Sequence, residues 1–382
     1  MAVARGKLNL LAVYQEGGRA SGELLREVLE YCLLCGACQE KCAVNLAVPE
    51  LIKEGRALLR DRQGAKWSPT LILARLTWQA PHLIPALAPL APLVNLLKSW
   101  VGEESGLGLR LWPHLAANLS RLPDLSRRPF KARAPSRLPG RGPLKVALFV
   151  GCGIEALFPQ VGEAFLAICA QEGLEVVVPP EQGCCGLMSE SAGELALAQA
   201  LGRRVLAAFA PLEVDYIVAP CSSCSYQLKR LGQLFKDGPE AAQAARVAAG
   251  VREASEFLAQ VVQYRPAGPG QGRKVLAFHD PCHLHRSQRI ITEPRQLLIA
   301  ATGAPPREPA ERVCCGLGGA FGVLYPEISI KLGAARFKAF KDTGAQELVT
   351  SCSGCLVQLK QAAAGFTVRH ILEVLAPGSE RE

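Results

Sequence analysis

Short apolar runs and longer amphipathic ones alternate along most of this chain. Lys145-Val-Ala-Leu-Phe-Val150, Val214-Asp-Tyr-Ile-Val-Ala-Pro220, Lys274-Val-Leu-Ala-Phe-His279 and Glu347-Leu-Val-Thr-Ser351 are brief and rich in β-branched or apolar side chains. Runs this short and this continuous predict buried strands. Between them, residues 193–210 and 326–340 read as helices, so each half becomes an α/β unit of strand, helix and strand. Residues 1–62 read as helical. Residues 63–120 keep a helical, apolar pattern broken by prolines. From 121 to 145 the chain turns basic and proline-rich, with Arg127, Arg128, Pro129, Lys131, Arg133, Pro135, Arg137 and Pro139. Proline and repelling like charges disfavour compact structure, which predicts a solvated linker, with docking of an acidic partner as the alternative. The divisions are 1–62, 63–142, 143–268 and 269–382.

The two α/β halves are copies of one another. Cys152 is followed after 31 residues by Cys184-Cys185-Gly186, and then by Cys221-Ser-Ser-Cys224. Cys282 is likewise followed after 31 residues by Cys314-Cys315-Gly316, and then by Cys352-Ser-Gly-Cys355. The offset between copies is 130 residues for the first three cysteines and 131 for the last two. In each copy the cysteines follow the predicted strands. The carboxyl edge of an open α/β sheet is where ligands collect.

With 382 residues, 49% of them hydrophobic, the chain is long enough for two or three domains with their own cores. A formal charge of +9 invites a nucleic-acid reading. Only 6% of residues are aromatic, however, no binding motif accompanies the charge, and cysteine thiolates on a metal would offset much of it. No nucleic-acid partner is expected. Residues 1–20 hold Arg5, Lys7, Glu16 and Arg19 and no apolar core of signal-peptide length. That argues for the cytoplasm and against a disulfide framework for the 15 cysteines. The apolar stretch at 71–100 is interrupted by Pro81, Pro85, Pro89 and Pro92, too often for a membrane span. It reads as helices buried between domains, with peripheral docking on the inner face of the membrane as the alternative.

Fourteen of the 15 cysteines fall into three ligand-like groups. Cys32, Cys35, Cys38 and Cys42 form a C-x2-C-x2-C-x3-C run, the bacterial ferredoxin spacing for a [4Fe–4S] cluster. Short spacers let the thiolates wrap a cubane, and Gly36 permits the tight turn. Zinc more often takes two separated pairs. In proteins with two such runs the fourth cysteine serves the other cluster, and only one run is present here. Either this run closes on itself, or Cys169 or a partner supplies a ligand, or a second run belongs upstream. The other groups supply five thiolates each: Cys152, Cys184, Cys185, Cys221 and Cys224, then Cys282, Cys314, Cys315, Cys352 and Cys355. Five exceeds what tetrahedral zinc or a simple cubane needs. Neighbours such as Cys184-Cys185 cannot easily share one ion, but they can bracket two irons of a larger cluster. Gly186 and Gly316 let the backbone approach sulfur, whose charge needs N–H donors. One copy holding zinc, or nothing, is the competing reading. His279 and His283 flank Cys282 and read as hydrogen-bonding residues, with a ligand or proton-handling role as the alternative. His370 reads as a buried, satisfied histidine, and Cys169 as helix core. No nucleophile, dinucleotide fingerprint or phosphate loop stands apart from these groups.

Glu181-Gln-Gly-Cys-Cys-Gly186, His279-Asp-Pro-Cys-His-Leu284, Cys314-Cys-Gly316 and Ser353-Gly-Cys-Leu356 resemble the CCG-domain family, named for Cys-Cys-Gly. That family includes the iron–sulfur subunit of glycolate oxidase, lactate-utilisation iron–sulfur proteins and the catalytic subunit of heterodisulfide reductase. The resemblance covers nearly the whole chain and is closest to the glycolate oxidase type. It implies an α/β fold: an N-terminal helical ferredoxin-like domain followed by two duplicated α/β CCG domains. The implied function is an electron-transfer subunit of a flavin-dependent glycolate or D-lactate dehydrogenase. FAD would sit on a separate subunit, and electrons would pass to a quinone or another carrier. That type usually has two ferredoxin runs, and Ala4-Arg-Gly-Lys7 resembles the stretch between them; the sequence either starts late or comes from a lineage that dropped the first run. A second departure is the presence of Cys221 and Cys352, often replaced in the glycolate type. The full five-cysteine set is similar to heterodisulfide reductase and its noncubane clusters, so disulfide reduction is the alternative.

Overall fold

The computed structural model describes residues 3–18, 21–64, 72, 76, 88–93, 95–96, 124–266, 274–363 and 365–378. Most of the apolar stretch at 71–100, and with it the expectation of helices over 63–120, lies outside the described residues. Among the described residues no helix is long and apolar enough to cross a membrane.

Four helices open the chain: α1 (Ala4–Gln15), α2 (Gly22–Glu30), α3 (Ala37–Glu40) and α4 (Val48–Gln63). Leu25 and Leu29 lie one turn apart on α2, while Val48, Ile52 and Leu59 share a face of α4. With Leu11 and Leu34 they close a small core of their own. That is the helical periodicity expected of an amphipathic bundle, each fully buried leucine contributing about 2 kcal/mol.

The duplicated halves each build a parallel sheet. The first has the order β1-β3-β2-β4-β5, from β1 (Arg137–Leu138), β2 (Lys145–Leu148), β3 (Glu175–Val177), β4 (Tyr216–Ala219) and β5 (Val251–Glu253). Only β1 runs antiparallel. The second has the order β6-β7-β8, from β6 (Leu276–His279), β7 (Glu347–Thr350) and β8 (Thr367–His370), all parallel. A single bridge from Ala277 to Arg307 stands where the second sheet would carry a counterpart of β3. The register preserves the sequence repeat: Val146 pairs with Tyr216, and Leu276 with Glu347. All four predicted strand runs form strands buried along most of their length, β6 and β7 completely. Helices follow at Leu195–Phe209 and Pro326–Lys341, as the pattern predicts. One continuous apolar core runs through both halves.

Part of the basic, proline-rich segment packs on the first half, while residues such as Arg127, Arg128, Pro135 and Arg141 stay exposed as a solvated linker would. Phe130 is fully buried in the core of the first half, and β1 pairs with β3. The cations meet acceptors: Lys131 Nζ donates to the carbonyl of Pro180 (3.0 Å), Arg133 pairs with Glu163 (3.2 Å) and Arg137 with Glu175 (2.9 Å). Pairing with acceptors weakens the repulsion between these cations, and Phe130 anchors the strip in the core.

Each half ends in the same device. Glu253 caps the short helix Ala254–Glu256 and His370 caps Ile371–Leu375, each with a reciprocal glutamate three residues on. Burial raises the Glu253 carboxyl to about 7, against the opposing pull of N–H and hydroxyl donors from Ser255 and Glu256. A raised carboxyl favours the protonated fold. Its stabilising contribution is present below about pH 4.5 and is lost as pH climbs to about 7, a loss of about 3 kcal/mol at 1.36 kcal/mol per unit. Glu253→Gln should therefore flatten the decline of Tm between pH 5 and 7; an unchanged slope would show that Glu253 is ionised in the fold.

Candidate metal centre

Strand β2 leads to β3 on one side, and the chain then crosses to β4 on the other. The carboxyl ends of β2 and β4 therefore flank the crevice where connections diverge, the usual ligand position in such sheets. Cys152 lies in the first turn of helix Gly151–Ala156 after β2. Cys221 caps helix Ser222–Lys229 after β4, and Cys224 lies one turn inside it. The second half repeats this: Cys282 opens helix Cys282–His285 after β6, and Cys352 caps Ser353–Ala362 after β7, with Cys355 inside. Helix amino ends present free N–H groups and positive potential to thiolates.

The glycines after the Cys-Cys pairs are conformationally required. Gly186 and Gly316 have φ of 85° and 93°. Their N–H groups turn back to donate to Cys184 Sγ (3.5 Å) and Cys314 Sγ (3.4 Å). Beyond its contact with the other member of the pair, Cys184 neighbours Cys152 and Cys185 neighbours Cys224. Cys314 likewise neighbours Cys282, while Cys315 lies 3.4 Å from Cys355. Each adjacent pair thus also reaches two further cysteines, one from each of its members.

Between the halves, Cys221 Sγ faces its counterpart Cys352 Sγ at 3.8 Å. Ser353 Oγ lies 3.2 Å from Cys221 Sγ and Ser223 Oγ 3.2 Å from Cys352 Sγ. Ser222 N–H and Oγ–H close the seam on the carbonyl of Ser351. At the far end of the second group, Cys282 neighbours Cys35 of the amino-terminal run, and Arg286 Nη1 lies 3.4 Å from the Cys35 carbonyl and 3.7 Å from Cys282 Sγ. Neighbouring sulfurs run in series as a thread: Cys152, Cys184, Cys185, Cys224, Cys221, Cys352, Cys355, Cys315, Cys314, Cys282, Cys35, with Cys221–Cys352 at 3.8 Å and Cys355–Cys315 at 3.4 Å the direct sulfur contacts. Within it, thiol donors hold Cys185 down to about 6, and they push Cys221 and Cys314 well below the usual thiol range. These sulfurs are the acceptors of their groups, ready to bind metal as thiolates.

In the amino-terminal run, Gly36 has φ of 72° and starts α3, the turn expected of it. Burial raises the Cys38 thiol, with Cys32 and Cys35 close beside it. Cys42 is half-exposed instead, its thiol lowered by N–H groups of Leu46, Val44 and Asn45. Cys169 is fully buried in helix Pro159–Gln171, and desolvation pushes its thiol up. It packs in the core of the first half.

Burial pushes His279 down to about 3 and His283 to about 4, so both imidazoles are neutral. His283 stacks on Tyr226 at 4.7 Å, and its Nδ1 lies 3.0 Å from Ser223 Oγ. One nitrogen of His279 lies within 4.8 Å of the sulfurs of Cys315 and Cys355. His370 is fully buried and its Nδ1 accepts from Leu372 N–H at 3.3 Å.

The sequence reading missed the cations that surround the sulfur. Arg286 Nε pairs with Glu40 at 2.8 Å, while Nη1 lies 3.4 Å from the Cys35 carbonyl and 3.7 Å from Cys282 Sγ. Lys7 is buried among Cys32, Cys38 and Cys35, and Arg56 donates to the carbonyl of Cys32 at 2.7 Å. The signal was available: Arg286 follows Cys282 by one helical turn, and Lys7 and Arg56 interrupt otherwise buried faces. Buried cations beside gathered thiols are what an anionic cluster needs, and five-thiol sets with N–H donors fit iron and sulfide better than one tetrahedral ion.

Residues 146–229 and 276–360 both match the family model CCG, described as a cysteine-rich domain. A probable glycolate oxidase iron–sulfur subunit of Bacillus subtilis is 30% identical over 376 residues, covering 93% of this chain and 82% of that protein. Lactate utilization protein A of Bacillus velezensis is 32% identical over 238 residues, covering 61% of this chain and 99% of that protein. The Geobacillus kaustophilus protein of the same name is 32% identical over 239 residues, covering 61% of this chain and 98% of its own.

Proposed function

Because this chain belongs to the CCG family of cysteine-rich domains, we propose that it is the electron-transfer iron–sulfur subunit of a flavin-dependent 2-hydroxy-acid dehydrogenase. Its substrate class is glycolate or D-lactate, oxidised on a separate FAD subunit, with a quinone or another carrier as acceptor. Relatives named as a glycolate oxidase iron–sulfur subunit and as lactate utilization proteins support this reading. Iron–sulfur clusters, when bound, supply one-electron redox chemistry. Cys32, Cys35, Cys38 and Cys42 would hold a [4Fe–4S] cubane, and each five-cysteine group a noncubane cluster. The protein would work in the cytoplasm or at the inner face of the membrane, beside its flavoprotein.

The observation that carries the reading is the close approach of the three cysteine groups: Cys221 and Cys352 meet at 3.8 Å between the halves, and Arg286 reaches both the Cys35 carbonyl and Cys282 Sγ. Three isolated structural metals would have no reason to lie side by side; a relay needs its centres close enough for electrons to pass. The thread also sets an order that differs from the sequence order: amino-terminal run, second group, first group.

One feature favours a second reading. Cys221 and Cys352 meet at 3.8 Å between the halves, with Ser223 and Ser353 against their sulfurs. A small disulfide could be reduced at that seam, with the five-cysteine groups supplying electrons.

Anaerobic reconstitution, iron and sulfide analysis and EPR test the proposal. The expected result is iron and sulfide in equal amounts and three distinguishable centres. Zinc without iron would end the redox reading. A small disulfide that alters the spectrum of the oxidised centres would favour the second reading over the first. Cys42→Ser should lower the iron content as far as Cys38→Ser does, if the run closes on itself.

A further inference from the structure

The two five-cysteine groups are copies, which makes any difference between them informative. The β-strand registers align Leu148, paired with Val218, with Phe278, paired with Val349. The next residue is Phe149 in the first half and His279 in the second. Both are fully buried. The repeat extends to the helix behind them: Gly202, Val205 and Phe209 correspond to Gly333, Arg336 and Phe340 at the same offset of 131 as the C-x-x-C pairs. Phe149 packs on Phe209 at 5.7 Å between ring centres, and His279 packs on Phe340 at the same 5.7 Å. Against that common frame, two positions change together. An apolar pair, Phe149 and Val205, becomes a polar pair, His279 and Arg336.

The polar pair is connected. Arg336 Nε lies 3.5 Å from His279 Nδ1, in hydrogen-bond geometry. Its guanidinium also sits 4.2 Å over the Phe340 ring and donates to the carbonyl of Glu311 at 2.7 Å. A guanidinium nitrogen can only donate, so Nδ1 offers its lone pair. The proton of the imidazole then resides on Nε2, since the bond made by one ring nitrogen fixes the other. Nε2 is buried without a hydrogen-bond partner among the described residues. An imidazole nitrogen lies within 4.8 Å of the sulfurs of Cys315 and Cys355. In the first half the same strand position carries a phenyl ring whose edge borders the space beside Cys224 and can donate nothing.

We propose that His279, held in its Nε2–H form by Arg336, donates a hydrogen bond to the thiolates of Cys315 and Cys355, giving the second centre a more positive reduction potential than the first. The inference rests on the iron–sulfur reading above and deepens it. Donors to sulfur, and a cation behind them, stabilise the added charge of the reduced state. The centre between the amino-terminal run and the first group would then be the one that holds the electron.

The test uses the reconstituted full chain, with each centre titrated potentiometrically by EPR. His279→Phe should shift the midpoint of the second centre downward and leave the first centre in place. Arg336→Val should shift it the same way. The double variant His279→Phe, Arg336→Val copies the apolar pair of the first half, an arrangement this fold already packs, so loss of folding does not blur the outcome. In protein labelled with ¹⁵N-histidine, the second centre should show a weak nitrogen coupling that His279→Phe abolishes. Unchanged midpoints in a loaded double variant would overturn this inference and leave the relay intact. A strong coupling, as from imidazole bound directly to iron, would overturn the donor assignment. A wild-type chain that takes up no iron would sink the relay and this inference together.

Discussion

Cys314→Ser will isolate the first cysteine group from the amino-terminal run, while the equivalent change Cys184→Ser will not isolate the second. The two residues are repeats of one another at an offset of 130, so the substitutions are chemically matched. Their places in the thread are not. Cys314 neighbours Cys282, which neighbours Cys35 of the run. Cys184 lies near the opposite end, beside Cys152. Among the described residues, no thiol contact joins the run directly to the first group; the route passes through the second group and the Cys352–Cys221 contact. Either variant should lose iron at its own centre, because a lost thiolate removes both a ligand and its share of binding energy. In rapid anaerobic reduction through the run, Cys314→Ser should slow reduction of the first centre by orders of magnitude. Cys184→Ser should leave reduction of the second centre at the wild-type rate. The reverse pattern would mean that electrons follow sequence order and that the thread is not the path.

The repeat made much of this legible before any coordinates. Strand runs ending just before cysteines imply a parallel sheet with thiols at its carboxyl edge, and that holds for both halves. The glycine turns behind the Cys-Cys pairs also followed from local chemistry, because φ near 90° is a single-residue property. What the pattern could not contain was docking. Cys35 approaches Cys282 across 247 residues of chain, and that approach depends on how the helical module packs against the core shared by the two halves. The basic strip misled for a related reason. Its charges read as repulsive because Glu163 and Glu175, which neutralise Arg133 and Arg137, lie far along the chain. Phe130, the one aromatic among those prolines, was the visible clue to burial. For Arg286 the sequence showed only that it follows Cys282 by one helical turn; its partners Glu40 and the Cys35 carbonyl lie in the amino-terminal module, out of reach of any local pattern.

The same lesson gives the second large effect, at Arg56. This residue of α4 is 7% exposed and carries its positive charge into the joint between the helical module and the first α/β half. Nε and Nη2 reach the carbonyl of Leu29 at 3.2 and 2.7 Å, and Nη2 reaches Glu30 at 3.3 Å and Cys32 at 2.7 Å. Nη1 donates to the carbonyl of Ser191 in the first half. Leu29 and Glu30 end α2, so the guanidinium satisfies carbonyls that a helix terminus leaves open, and it complements their negative potential. Gly193 lies so close that a Cβ there would come within 2.6 Å of the Arg56 carbonyl carbon. Desolvation opposes the charged form and lowers the Arg56 pKa, which a methionine would relieve. That relief is outweighed, because Arg56→Met strands several buried acceptors at about 1–3 kcal/mol each where water cannot reach. We expect a net loss of about 3–5 kcal/mol, read as a lower urea midpoint. Amide exchange should place the loss in α2, α4 and the 191–193 turn, with the two sheets still protected. Arg56→Lys should recover only part of it, since one ammonium cannot span the carbonyls that a planar fork reaches. A loss below about 1 kcal/mol, within the ordinary range for surface changes, would mean that the joint is held by its apolar contacts and the neighbouring Lys53–Glu190 and Arg60–Glu194 pairs instead.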